Sequence, residues 1–200
     1  MKNLTIVFAL LILWIYVLSI FKRRKMSFFY FMVGAVGLFA FSFFLFEPIF
    51  TAPLAKLVCY LTGLVGELTG FFKAYASYGV LFIENINGPV SLYVDFECAG
   101  LVEVLVFMAL IAFFFSYSWW QKILVVVSGF FWILFANVVR LTVICCIICW
   151  LGNESYYIAQ TVIGRIVFYL LSLWFYFLAF TKRQVRQQKV GEFDYDAKSN

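Results

Sequence analysis

The fold class this sequence predicts is an all-α polytopic membrane protein. It has about five transmembrane helices, an interfacial amphipathic helix and a small extracytoplasmic β-hairpin. Three observations carry that expectation. Hydrophobic residues fill 66% of the 200 positions and charged residues only 12%, with 27 Phe and 12 Tyr among them, which is far outside soluble usage. Several apolar runs approach the roughly 20 residues needed to cross a bilayer. The net charge of +5 is gathered in short clusters beside those runs. Such clusters act as topology signals, so the membrane is the expected environment and nucleic acid is not an expected partner.

The elements follow in order. Leu4 to Phe21 is an apolar run closed by Lys22-Arg23-Arg24-Lys25. With its basic cluster on the C-terminal flank and no Ala-x-Ala-type site after it, the run reads as an uncleaved anchor. Phe28 to Phe46 is a second span. The positive-inside rule places the basic turn in the cytoplasm, so the chain emerges outside near Glu47-Pro48. From Ala52 to Ala76, Leu54, Leu57, Val58, Leu61, Leu64, Val65, Leu68, Phe71 and Phe72 recur at helical spacing, with Lys56, Glu67 and Lys73 off the stripe. That pattern favours a helix lying in the outer interface over one that re-enters or spans. Val80 to Ile86 and Val90 to Phe96 are β-prone runs around Asn87-Gly88-Pro89, a hairpin signal that Pro89 loosens.

Leu101 to Tyr117 is the third span, and Ser118-Trp119-Trp120-Gln121-Lys122 has the aromatics and lysine of a cytoplasmic turn. Ile123 to Trp150 must cross outward once. Its roughly 28 residues would measure about 42 Å, so its outer end has to tilt or bend. Gly152-Asn153-Glu154-Ser155 is then an outside loop, and the last span, Thr161 to Phe180, runs into the basic Lys182-Arg183-Gln184-Val185-Arg186. The expected organisation is one membrane domain over 1–181, with two N-terminal spans in 1–48 and a core in 49–181. A disordered cytoplasmic tail is expected at 182–200.

This topology groups three residues. Cys98 sits at the mouth of the third span, after the polar Asp95-Phe96-Glu97. Arg140 lies roughly 27 Å up the fourth helix from Lys122, and Gln160 opens the last span. All three belong at one depth on the outer side. A thiol acts as nucleophile in its thiolate form, which nearby positive charge favours. Arg140 could supply that charge or hold an oxyanion. An arginine at this depth also reads as an anchor snorkelling to headgroups. Asn137, one turn before Arg140, could orient it or donate to an oxyanion. Asp95 and Glu97 oppose a thiolate unless paired. Glu103, inside the third span, needs a function or a partner, and Arg165 is the expected ion-pair partner. Cys59, Cys145, Cys146 and Cys149 read as packing residues. With no His in the chain, a zinc site has no completing ligand, and neither metal nor cofactor is expected.

From about Pro53 to Phe180 the chain resembles the exosortase/archaeosortase family, most closely its short Gram-positive branch, exosortase G. The residues that carry the resemblance are Cys98-Ala99-Gly100-Leu101, matching a Cys-Ser/Ala-Gly motif, and Asn137-Val138-Val139-Arg140-Leu141, matching Asn-x-x-Arg-hydrophobic. The resemblance makes 49–181 an exosortase-like core. It implies a membrane-embedded cysteine transpeptidase or protease in a bacterial, Gram-positive cell membrane, with its active site on the extracytoplasmic side. The implied partners are secreted proteins bearing a C-terminal sorting signal and a lipid or lipid-linked acceptor. By motif, Cys98 becomes the nucleophile and Arg140 the stabiliser of the reacting carbonyl or thiolate. The family's third residue, a histidine, matches Gln160, and an amide cannot shuttle a proton near neutral pH. The competing reading is therefore a non-catalytic scaffold that holds a secreted protein or a lipid-linked polymer. A transporter fits less well, because no internal repeat is evident and the ionisable groups gather near one face.

Overall fold

The computed structural model describes residues 2–83, 88–94, 96–114 and 117–181. Residues 84–87, which hold the end of the first β-prone run and Asn87 of the expected turn, and the expected tail at 182–200 lie outside the described residues. Helix α1 spans Lys2–Arg23 and α2 spans Ser27–Thr69. Three strands follow, β1 (Phe72–Tyr75), β2 (Val80–Ile83) and β3 (Val90–Tyr93). A one-turn helix α3 (Phe96–Ala99) leads into α4 (Leu101–Phe113), and α5 covers Trp119–Leu151. The last rod is composite. It joins a 3-10 turn at Asn153–Ser155, one α turn α6 at Tyr156–Ile158, a π segment at Ala159–Ile163, α7 at Gly164–Tyr176 and a second π segment at Phe177–Thr181.

Among the described residues, three helices are long and apolar enough to cross a bilayer: Ser27–Thr69, Trp119–Leu151 and Asn153–Ala179. The protein is thus a predominantly helical membrane protein. At 13 residues, α4 is shorter than the span expected from Leu101 to Tyr117, because Phe114 turns the backbone extended (φ −74°, ψ 120°).

The amphipathic stretch does not form a separate interfacial helix. It is the second half of α2, whose 43 residues run through Pro48 and Pro53 for about 64 Å. Each proline removes one helical N–H, here the ones that would reach the Phe44 and Ile49 carbonyls, and membrane helices tolerate such prolines within their length. The stretch also ends earlier than Ala76. Gly70 takes the left-handed conformation (φ 74°) and its N–H caps the Gly66 carbonyl, which stops the helix and releases Phe72–Tyr75 as a strand. β1 pairs antiparallel with β2, Phe72 opposite Ile83, and β2 pairs antiparallel with β3, Ile83 opposite Val90.

The small sheet lies over the C-terminal ends of α2 and α5. Phe72, Leu81, Ile83 and Leu92 are buried in one cluster with Val58 and Cys59 of α2 and Ile144, Cys145 and Ile148 of α5. The Cys59 thiol donates to the Val80 carbonyl at 3.6 Å. A second cluster fills the bundle between α4, α5 and α7, built on Phe107, Ile111, Ile133, Ala136 and Phe168. There the Trp132 indole donates to the Leu171 carbonyl at 3.0 Å and stacks on Phe175 at 5.7 Å. Helix α1 leans on α2 through Trp14, whose indole donates to the Val33 carbonyl at 2.9 Å.

Candidate active site

Cys98 lies in α3, where the sheet hands the chain to the bundle. The residue is 1% exposed and belongs to the cluster beneath the sheet. Two residues later the chain turns sharply, with Gly100 in the left-handed region at φ 76°, a conformation that suits glycine because it has no Cβ. Space also demands glycine here. A Cβ at position 100 would fall 2.1 Å from Asn137 Nδ2, so the Cys98 turn rests directly on Asn137.

Asn137 is fully buried, and its Nδ2 donates to the Ile133 carbonyl at 3.1 Å. Its Oδ1 is buried with no hydrogen-bond partner among the described residues. An acceptor left in that state is costly, so it stands ready for a donor brought by a ligand or by water. One turn on, Arg140 is 5% exposed, with its guanidinium carbon 6.0 Å from the centroid of the Phe168 ring on α7. A snorkelling arginine keeps its head at the surface. This one is enclosed by protein, so the anchor reading fails.

Gln160 is half-buried within the π segment Ala159–Ile163, a local geometry that is rare and frequent at functional sites. Its neighbour Ala159 is fully buried in the cluster that holds Cys98, as is Leu141, the neighbour of Arg140. The structure thus brings the Cys98 turn against Asn137 and draws the chain beside Arg140 and Gln160 into the same cluster. Among the expected supporting groups, Asp95 lies outside the described residues, as does the side chain of Glu97. Glu103 is half-buried on α4 and in electrostatic range of the Tyr176 phenol at the end of α7. Arg165 is exposed in the first turn of that helix, about 16 Å along it from Tyr176.

Sequence reasoning missed Phe168, Ser172 and Tyr176. They recur at four-residue spacing on α7 and face the bundle, Ser172 with its hydroxyl buried and no hydrogen-bond partner among the described residues. That spacing was the available signal. Also missed was a cavity of about 240 Å³ between Phe46, Phe50 and Leu54 of α2, Leu101 and Met108 of α4, and Phe130 of α5. No polar side chain lines it, and Leu54 and Phe130 pack on the cluster containing Cys98. The five cysteines form no disulfide. Among the described residues, no group of three His, Cys, Asp or Glu side chains gathers as a metal site.

A family model described as Transmembrane exosortase (Exosortase_EpsH) matches residues 2–178. No curated protein and no solved structure matches the chain. The match takes in nearly the whole of the three long apolar helices, the sheet and the Cys98 neighbourhood, and on that extent the chain belongs to the transmembrane exosortase family.

Proposed function

We propose that this protein is a membrane-embedded cysteine transpeptidase or protease of the exosortase G type, which processes C-terminal sorting signals of secreted proteins at the outer face of a Gram-positive cell membrane. The observation that carries the reading is the close packing of Gly100, two residues after buried Cys98, against buried Asn137, which lies one helical turn before buried Arg140. A buried thiol, a buried guanidinium and a buried amide are the parts acyl transfer needs.

The chemistry runs in two steps. The Cys98 thiolate attacks the scissile carbonyl, and Arg140 stabilises the charge that develops on oxygen. The C–N bond breaks, the leaving amine takes a proton, and a thioester to Cys98 remains. An acceptor nucleophile on a lipid or lipid-linked group, or water, then attacks that carbonyl and releases the thiol. Gln160 can donate or accept a hydrogen bond in either step but cannot carry the proton, so turnover is slowed relative to a chain with histidine there, by about 10²–10⁴-fold if general acid–base catalysis is lost. The apolar cavity beside the cluster suits the hydrophobic part of a sorting signal. Residues 49–181 form the working core.

One observation favours the scaffold reading, the absence of histidine from the whole chain. Intact mass after incubation with C-terminal signal peptides separates the two. An acyl adduct on Cys98 that disappears in Cys98→Ala supports the transpeptidase. No adduct in either the native chain or Gln160→His supports the scaffold.

A further inference from the structure

Far from Cys98, the α1–α2 turn borders a second, open cavity of about 370 Å³, lined by Phe21 and Lys22 of α1, Lys25 and Met26 of the turn, and Ser27 and Tyr30 of α2. We propose that it binds the phosphate of an anionic phospholipid, with Lys22 and Lys25 as the cationic contacts. The run Lys22-Arg23-Arg24-Lys25 has an ordinary reading as a topology signal, which uses only its total charge. The structure divides the run. Lys22 and Lys25 line the cavity, whereas Arg23 and Arg24 do not.

Three features fit that ligand. Lys25 adopts a left-handed backbone at φ 55°, a conformation glycine or asparagine takes at less cost, so a strained turn places a cation at the cavity. No acidic residue precedes Glu47 in the chain, so neither helix offers a nearby carboxylate to neutralise the lysines: Glu47 is about 30 Å along α2 from Ser27. The remaining lining residues are Phe21, Met26, Tyr30 and Ser27, three of them largely apolar. Apolar walls beside two ammonium groups match the junction between a phosphate and its acyl chains, whereas a free phosphate would gain nothing from them. Basic pockets between membrane helices hold anionic headgroups by this combination.

The test is native mass spectrometry of the full chain in detergent, titrated with phosphatidylglycerol or phosphatidylcholine, with and without excess inorganic phosphate. We expect selective retention of phosphatidylglycerol that inorganic phosphate does not displace. Retention should fall about 30-fold in Lys22→Gln/Lys25→Gln, and far less in Arg23→Gln/Arg24→Gln, which removes the same charge from outside the cavity. Ser27→Asp adds an anion to the cavity at a helix position where Asp is favourable, so it should fold and lose the lipid even if the double lysine variant does not fold. Equal losses in the lysine and arginine pairs would leave only surface charge and overturn the site. Displacement by inorganic phosphate would make it a free-anion site and overturn the lipid assignment.

Discussion

Gly100 is where sequence, backbone and chemistry meet most tightly. At its φ of 76° an added Cβ would fall 2.1 Å from Asn137 Nδ2, which leaves no room for a side chain. Gly100→Ala should therefore cost about 1–3 kcal/mol, read as a lower midpoint of thermal unfolding in detergent, and should slow Cys98 adduct formation by shifting its turn. Gln160 is open to the opposite change. In Gln160→His an unperturbed imidazole titrates near about 6.5, and only its neutral form accepts the thiol proton. Peptide-adduct formation should rise above the native rate at neutral pH, fall as pH drops through that range, and vanish in Cys98→Ala. A pH-flat, unchanged rate with the fold intact would place the missing base elsewhere. Arg140→Lys should impair adduct formation at all pH values despite the retained charge, because an ammonium cannot reproduce the guanidinium fork or its seat against Phe168. If Arg140→Lys matches the native rate, Arg140 has no part in stabilising the reacting carbonyl.

At the scale of elements, hydropathy made the long helices legible, and the spacing of Asn137 and Arg140 put them on one face before any coordinates. The continuity of α2 was not legible, because Pro48 and Pro53 read as breakers in water and not in lipid. β1 was hidden because Phe71 and Phe72 extend the helical stripe, although Gly70 was the available stop signal. The π segment at Ala159–Ile163 leaves no mark in composition at all, since it differs from α-helix only in hydrogen-bond register. That register is testable. Deleting the half-exposed Val162 should return the segment to α-helix and rotate Gln160 by about 100° relative to α7. We expect the deletion variant to keep its helical circular dichroism and to gain nothing from Gln160→His. A gain equal to that in the full-length chain would show that the π register does not aim this side chain.

Across the whole molecule, the sheet and the α1–α2 turn sit at opposite ends of α2, so the proposed outer face of the site can be checked by sidedness. An impermeant thiol reagent on intact cells should label Gly88→Cys beside the sheet and spare Trp120→Cys at the start of α5, with the unsubstituted chain as background; the reverse pattern would turn the protein over and discard the extracytoplasmic role. Cys98 itself cannot serve as the reporter, and the reason reaches into kinetics. With Cys98 buried in the cluster under the sheet, every reagent or substrate must wait for the sheet and bundle to part. Reaction then follows a local opening equilibrium. The rate of Cys98 modification should rise with reagent concentration only until it meets the opening rate, and then level off at one ceiling shared by chemically different reagents. A rate that stays proportional to concentration would show that the thiol is reached without any such opening.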